Sequence, residues 1–167
     1  MAETQRKKHF VLVHGASHGA WCWYKIRSML ETSSYKVTCL DLKGAGINQS
    51  DPDTVLTLEE YSHPLINFMS NLPDNEKEYT LFSQLGKDSI LASMLLRPGP
   101  IRPLSGRIDG KDEDAESVPR VYIKTMHDRL LKPEKQEAMI KKWPPSQVFV
   151  LNSEHSPFFL TPFDLFS

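Results

Sequence analysis

Apolar and polar positions along this chain fall into alternating blocks. His9-Phe10-Val11-Leu12-Val13-His14 is a near-continuous apolar run that stops at Gly15. Such a run reads as a strand buried on both faces. Trp21-Cys22-Trp23-Tyr24 with Ile26, Met29 and Leu30 opens a helix, which Ser33-Ser34-Tyr35 closes. Lys36-Val37-Thr38-Cys39-Leu40 predicts a second strand, ended by Asp41-Leu42. Thr57-Leu58-Glu59-Glu60 has the capping-box pattern, with Thr57 as N-cap and Glu60 three residues on. The helix it opens carries Tyr61, Leu65, Phe68, Met69 and Leu72 at helical spacing. Pro64 inside it predicts a kink or a later start.

Residues 78–83 predict a third strand, and Asp88 or Ser89 caps a short helix through Ile90, Leu91, Met94 and Leu95. Residues 120–125 form a fourth strand. Pro133 suits the first turn of the next helix, which carries Ala138, Met139 and Ile140 and is stopped by Trp143-Pro144-Pro145. Gln147-Val148-Phe149-Val150-Leu151 is the fifth strand, and the apolar stretch from Phe158 to Phe166 begins a last helix. Strands alternating with helices predict an α/β fold, a mostly parallel sheet with helices on both faces. In such a sheet the strand-to-helix turn at Gly15 lies on the carboxyl edge, where sites are built.

Composition narrows the picture. At 167 residues the chain has room for one domain, 1–167, with a sizeable core. A net charge of −1 gives no reason to expect nucleic acid or an anionic membrane surface as partner. No run reaches membrane-spanning length and the first eight residues are polar, so a cytoplasmic protein is expected. Cys22 and Cys39 read as reduced thiols. No Cys/His cluster has zinc-ligand spacing, and neither metal nor cofactor is expected. The 12 prolines fall mostly after residue 97, and residues 105–117 form an acidic loop without chemistry. The two glycines of Lys43-Gly44-Ala45-Gly46 lack the third glycine or Lys-Ser/Thr of a phosphate loop.

Chemistry concentrates after the last two strands. Asp128 follows the fourth and His155 the fifth, so a parallel sheet brings both to one edge. Taken alone, Asp128 fits a helix cap or a turn and His155 a surface loop. Together they match a carboxylate orienting an imidazole, two-thirds of a hydrolytic triad. Acid before histidine is the order of the α/β-hydrolases, in which the nucleophilic serine comes earlier.

The motifs carry a resemblance. Residues 9–16 and 18–25, then Val37-Thr38-Cys39-Leu40-Asp41-Leu42, Val118-Pro119-Arg120-Val121-Tyr122-Ile123-Lys124-Thr125, His127-Asp128, Lys132-Pro133-Glu134, Gln136-Glu137-Ala138-Met139-Ile140, Trp143-Pro144-Pro145-Ser146 and Glu154-His155-Ser156-Pro157-Phe158-Phe159 resemble the plant methylesterase family. These are relatives of the hydroxynitrile lyases within the α/β-hydrolase fold. The resemblance implies Asp128 as triad acid, His155 as triad base and the Ala16 N–H as an oxyanion-hole donor. It also implies methyl esters of small plant hormones as substrates, with residues from Val118 onward most similar to members acting on the auxin ester.

The family's Gly-His-Ser-x-Gly-Gly elbow is replaced here by Phe82-Ser83-Gln84-Leu85-Gly86-Lys87. Gln84 falls on the nucleophile position. Ser83 is one residue off, which along a strand means the opposite face. The sequence after residue 87 resembles the far end of the family's cap region. The reading is therefore of a truncated α/β-hydrolase, cap largely missing, and an inactive methylesterase that keeps Asp128 and His155. The alternatives are a residual carboxylesterase on methyl indole-3-acetate or a similar ester, with Ser83 or a His155-activated water attacking, or a non-catalytic binder of such an acid or ester.

Overall fold

The computed structural model describes residues 8–73, 76, 79–84, 95, 98, 100, 102–103 and 118–167, with 79–84 described by backbone alone. The acidic run 105–117 and the short helix expected after Asp88 lie outside the described residues, apart from Leu95, which is helical. Contacts group the chain into two compact units, Met1–Gly106 and Arg107–Ser167.

In the first unit β1 (His9–His14) is the middle strand of a parallel sheet, between β2 (Lys36–Leu40) and β3 (Tyr79–Gln84). Its apolar run is explained by burial on both faces. Val11 and Val13 point into a core completed by Leu42, Ala45, Val55 and Tyr61, with Leu65, Phe68 and Met69 of α2 (Leu58–Ser70) packed against it. Leu12 alternates to the other face and is fully buried, and there Phe10 meets Tyr35 edge-on at 5.2 Å. The segment after Gly19 begins as a 3-10 turn, Ala20–Trp23, before α1 (Tyr24–Thr32). The expected single helix is therefore two kinds of turn.

The capping box is present. Thr57 Oγ1 accepts the Glu60 N–H at 3.1 Å, and the Glu60 carboxylate accepts the N–H groups of Thr57 and Leu56. With the first turn fastened this way, Pro64 sits inside α2 and the helix still begins at Leu58. The later start that Pro64 predicted does not occur.

Gly44 and Gly46 both have positive φ, 74° and 54°, so the glycine loop is required by backbone shape. A Cβ on Gly46 would stand 1.8 Å from Asp41 Oδ1. That same oxygen accepts the Ala20 N–H at 2.7 Å. Asp41 thus joins the end of β2 to the turn after β1.

In the second unit β4 (Val121–Thr125) pairs in parallel with β5 (Gln147–Leu151), Val121 opposite Gln147 and Thr125 opposite Leu151. Between them runs α3 (Pro133–Lys142), with Pro133 in its first turn. Its apolar residues are not its core: Met139 is 50% exposed, and the buried residue is Gln136. After Trp143, which stops the helix, Arg120 stacks its guanidinium 3.5 Å over the indole. Two short helices, α4 (Pro157–Leu160) and α5 (Pro162–Phe166), end the chain, and Phe158 and Phe159 are buried. Among the described residues no helix is long and apolar enough to cross a membrane.

Two substitutions rank these ties. Thr57→Ala should cost about 1 kcal/mol, the usual worth of an N-cap. Gly46→Ala should cost more, on the order of 2 kcal/mol, because it combines a strained φ with eviction of the Asp41 carboxylate. Urea midpoints of the full chain measure both, and equal midpoints would contradict the ranking.

Candidate active site

The sheet register reaches past the strands of the second unit. The Met126 N–H donates to the Leu151 carbonyl at 3.1 Å, and the His127 N–H to the Ser153 carbonyl at 3.0 Å. The two chain segments therefore leave the sheet in step, and Asp128 and His155 meet. His155 Nδ1 donates to Asp128 Oδ2 at 2.6 Å. Asp128 is 5% exposed and the His155 side chain 14%.

A buried carboxylate must be satisfied from every side. Asp128 Oδ1 accepts the N–H groups of Leu130 and Leu131, at 2.8 and 2.7 Å. Oδ2 takes the imidazole and the Thr125 hydroxyl, the latter at 3.2 Å. Asp128 thus closes a turn and orients a histidine at once, one oxygen to each task. Burial pushes its carboxyl up, but the hydrogen bonds from His155, Leu131 and Leu130 outweigh it and hold the group below its ordinary value. The carboxylate stays ionised, and the bond it accepts places the proton on Nδ1 and leaves Nε2 as the basic nitrogen. That is the tautomer a general base requires.

The other sequence-predicted residues belong to the first unit. Ala16 stands in the turn after β1, before Ser17, whose φ of 63° is unusual for a residue with a side chain. The Ala16 carbonyl accepts His18 Nδ1–H at 2.9 Å, and the His18 ring stacks on Trp21 with centroids 5.5 Å apart. His14, which ends β1, is buried. Its Nε2 accepts the Leu42 N–H at 3.0 Å, so its proton is on Nδ1, bonded to the Gly15 carbonyl at 2.7 Å. Burial lowers its pKa, and it serves as a neutral tie between strand ends. Gln84 is the last residue of β3 and pairs with His14, while Ser83 pairs with Val13. The structure brings Asp128 and His155 into contact, and it sets Gln84 across from His14, two residues before Ala16.

Three partners of Asp128 were not singled out from the sequence. Thr125 lies three residues before it, and Leu130 and Leu131 two and three after. A Thr-x-x-Asp-x-Leu-Leu spacing, read as a carboxylate closing its own turn, is the signal that would have found them.

No family model matches the chain. Individual proteins do. Methylesterase 17 of Arabidopsis thaliana is 32% identical over 249 residues of alignment, which cover 98% of this chain and 90% of that protein. Pheophorbidase of Raphanus sativus is 32% identical, over 95% of this chain and 91% of its own. The crystal structure of methylesterase MES16 from Arabidopsis matches with a TM-score of 0.82 at 31% identity, covering 95% of each chain. An alignment of 249 residues is longer than this chain of 167, so the chain is short relative to that relative.

The depressed Asp128 pKa has a stability consequence. A carboxyl titrating below its ordinary 3.8 contributes fully above that value, and the contribution is lost as pH falls through the lower, folded value. Asp128→Asn should therefore cost about 1–3 kcal/mol at neutral pH, the worth of hydrogen bonds to a charged group. The gap from wild type should close as pH falls below 3.8. Thermal melts of both proteins along a pH series test this, and a gap that stays constant into acid would refute it.

Proposed function

We propose that this chain, which belongs to the plant methylesterase family of the α/β-hydrolase superfamily, is a member that does not turn over methyl esters. What supports the reading is Gln84 at the end of β3, the residue that the resemblance puts where the family has its serine. On this reading the acid and the base, Asp128 and His155, are kept without the family's serine for them to activate. An amide side chain cannot take the place of the serine oxygen. In a serine protease, removing the nucleophile costs on the order of a million-fold in kcat, about 8 kcal/mol. The second oxyanion donor belongs to the residue after the serine, and such a donor is worth about 3 kcal/mol more.

The cysteines offer no substitute. Burial pushes the Cys39 thiol up to about 11 and the Cys22 thiol higher still, so neither is a thiolate near neutrality. Both are free, which supports a reducing compartment, here taken as the cytoplasm. The ligand class assigned to the chain is a small carboxylic acid or its methyl ester, with Ala16 contributing an oxyanion-type N–H.

A serine-directed fluorophosphonate, with adducts mapped by mass spectrometry, separates the readings. The expected result is no adduct on any serine, under conditions in which a full-length family methylesterase labels completely. An adduct on Ser83 that disappears in His155→Ala would show a rebuilt nucleophile and overturn the proposal.

A further inference from the structure

Gln136 is the buried side chain of α3, 1% exposed, on a helix whose apolar residues are largely in solvent. A primary amide has one accepting oxygen and two donor hydrogens. Here all are used. Oε1 accepts the Thr125 N–H at 3.0 Å. Nε2 donates to the Thr125 carbonyl at 2.9 Å and the Leu131 carbonyl at 2.8 Å, with Thr125 Oγ1 at 3.4 Å. Thr125 ends β4, and Leu131 ends the turn that holds Asp128. One side chain therefore ties the two ends of the segment between them. Its orientation is set by the network, because a flipped amide would press its oxygen against two carbonyls.

The tie continues to the site. The Thr125 hydroxyl shares, at 3.4 Å, one of the two Gln136 Nε2 hydrogens already bonded to a carbonyl, and turns its own hydrogen to Asp128 Oδ2, at 3.2 Å. The same oxygen receives His155 Nδ1–H at 2.6 Å. A continuous line of hydrogen bonds runs from Gln136 through Thr125 to Asp128 and His155.

We infer that Gln136 is a positioning residue for this pair: through Thr125 and the Leu131 carbonyl it sets the orientation in which Asp128 presents Oδ2 to His155. The inference rests on reading Asp128 and His155 as the retained acid and base. Position 136 requires both an acceptor and donors at glutamine's reach. Glutamate would turn a second oxygen on two carbonyls, and methionine, of similar size, would leave three backbone groups unbonded.

Proton NMR of the full chain, labelled with 15N-histidine, reads the geometry without needing turnover. The wild type should show a low-field Nδ1–H signal that vanishes in His155→Gln. In folded Gln136→Met and Gln136→Glu this proton should be lost, or should exchange with water at least about tenfold faster. Thr125→Val, which keeps the backbone bonds to Gln136, should give a smaller acceleration. Gln147→Met on the exposed start of β5 should change nothing. An unaltered signal in cooperatively folding Gln136→Met overturns the inference. Should that variant not fold, an unaltered signal in Thr125→Val overturns it instead. A wild type with no low-field signal removes the acid–base pair itself, a distinct failure.

Discussion

In a parallel pair of strands the chain runs the same way twice, so whatever follows each strand emerges at the same edge. Asp128 and His155 are 27 residues apart in sequence and owe their meeting to this rule. The β4–β5 register alone would bring them near. Two further backbone bonds, from Met126 and His127, carry the register beyond the strands and bring the carboxylate to the imidazole. The same constraint in the first unit sets Gln84 across from His14 and holds the Gly15–Gly19 turn at the carboxyl end of the middle strand. Shifting either pair by one residue would exchange the faces of every side chain on it.

At that edge two opposed effects act on one carboxylate. Burial favours the neutral acid, while an imidazole and two backbone N–H groups favour the anion. The anion prevails because each oxygen has donors of its own. Comparable care is visible at Asp41, one oxygen of which takes the Ala20 N–H, and at His14, both ring nitrogens of which are bonded. Within each unit, polar side chains at strand ends, rather than apolar packing alone, shape the turns that follow the strands.

Much of this was legible from residue order. β2 and β5 have the bounds that their apolar runs imply, Thr57 and Glu60 make the box that their spacing implies, and Asp128 and His155 meet as strand-end residues should. What was not legible depends on partners distant in sequence. The 3-10 turn at Ala20–Trp23 begins where Asp41, 21 residues on, takes the Ala20 N–H. Pro64 does not delay α2, because its start is fastened by hydrogen bonds that a proline rule ignores. Gln136 is polar on a helix read for its apolar stripe, so nothing in the periodicity marked it as the buried residue. Membership of the plant methylesterase family was legible from short motifs, and full-length relatives bear it out.

The division of labour within Asp128 bears on how such a site decays over evolutionary time. When a nucleophile is gone, selection for chemistry lapses on the acid and the base alike. The two then drift unequally. Position 128 still closes the turn through Oδ1 to Leu130 and Leu131, so substitutions lacking a short oxygen acceptor are removed for reasons of folding alone. Position 155 bonds to the other oxygen, Oδ2, so a change there leaves the turn at Asp128 closed. In lineages that abandon esterase chemistry, the acid should therefore outlive the base.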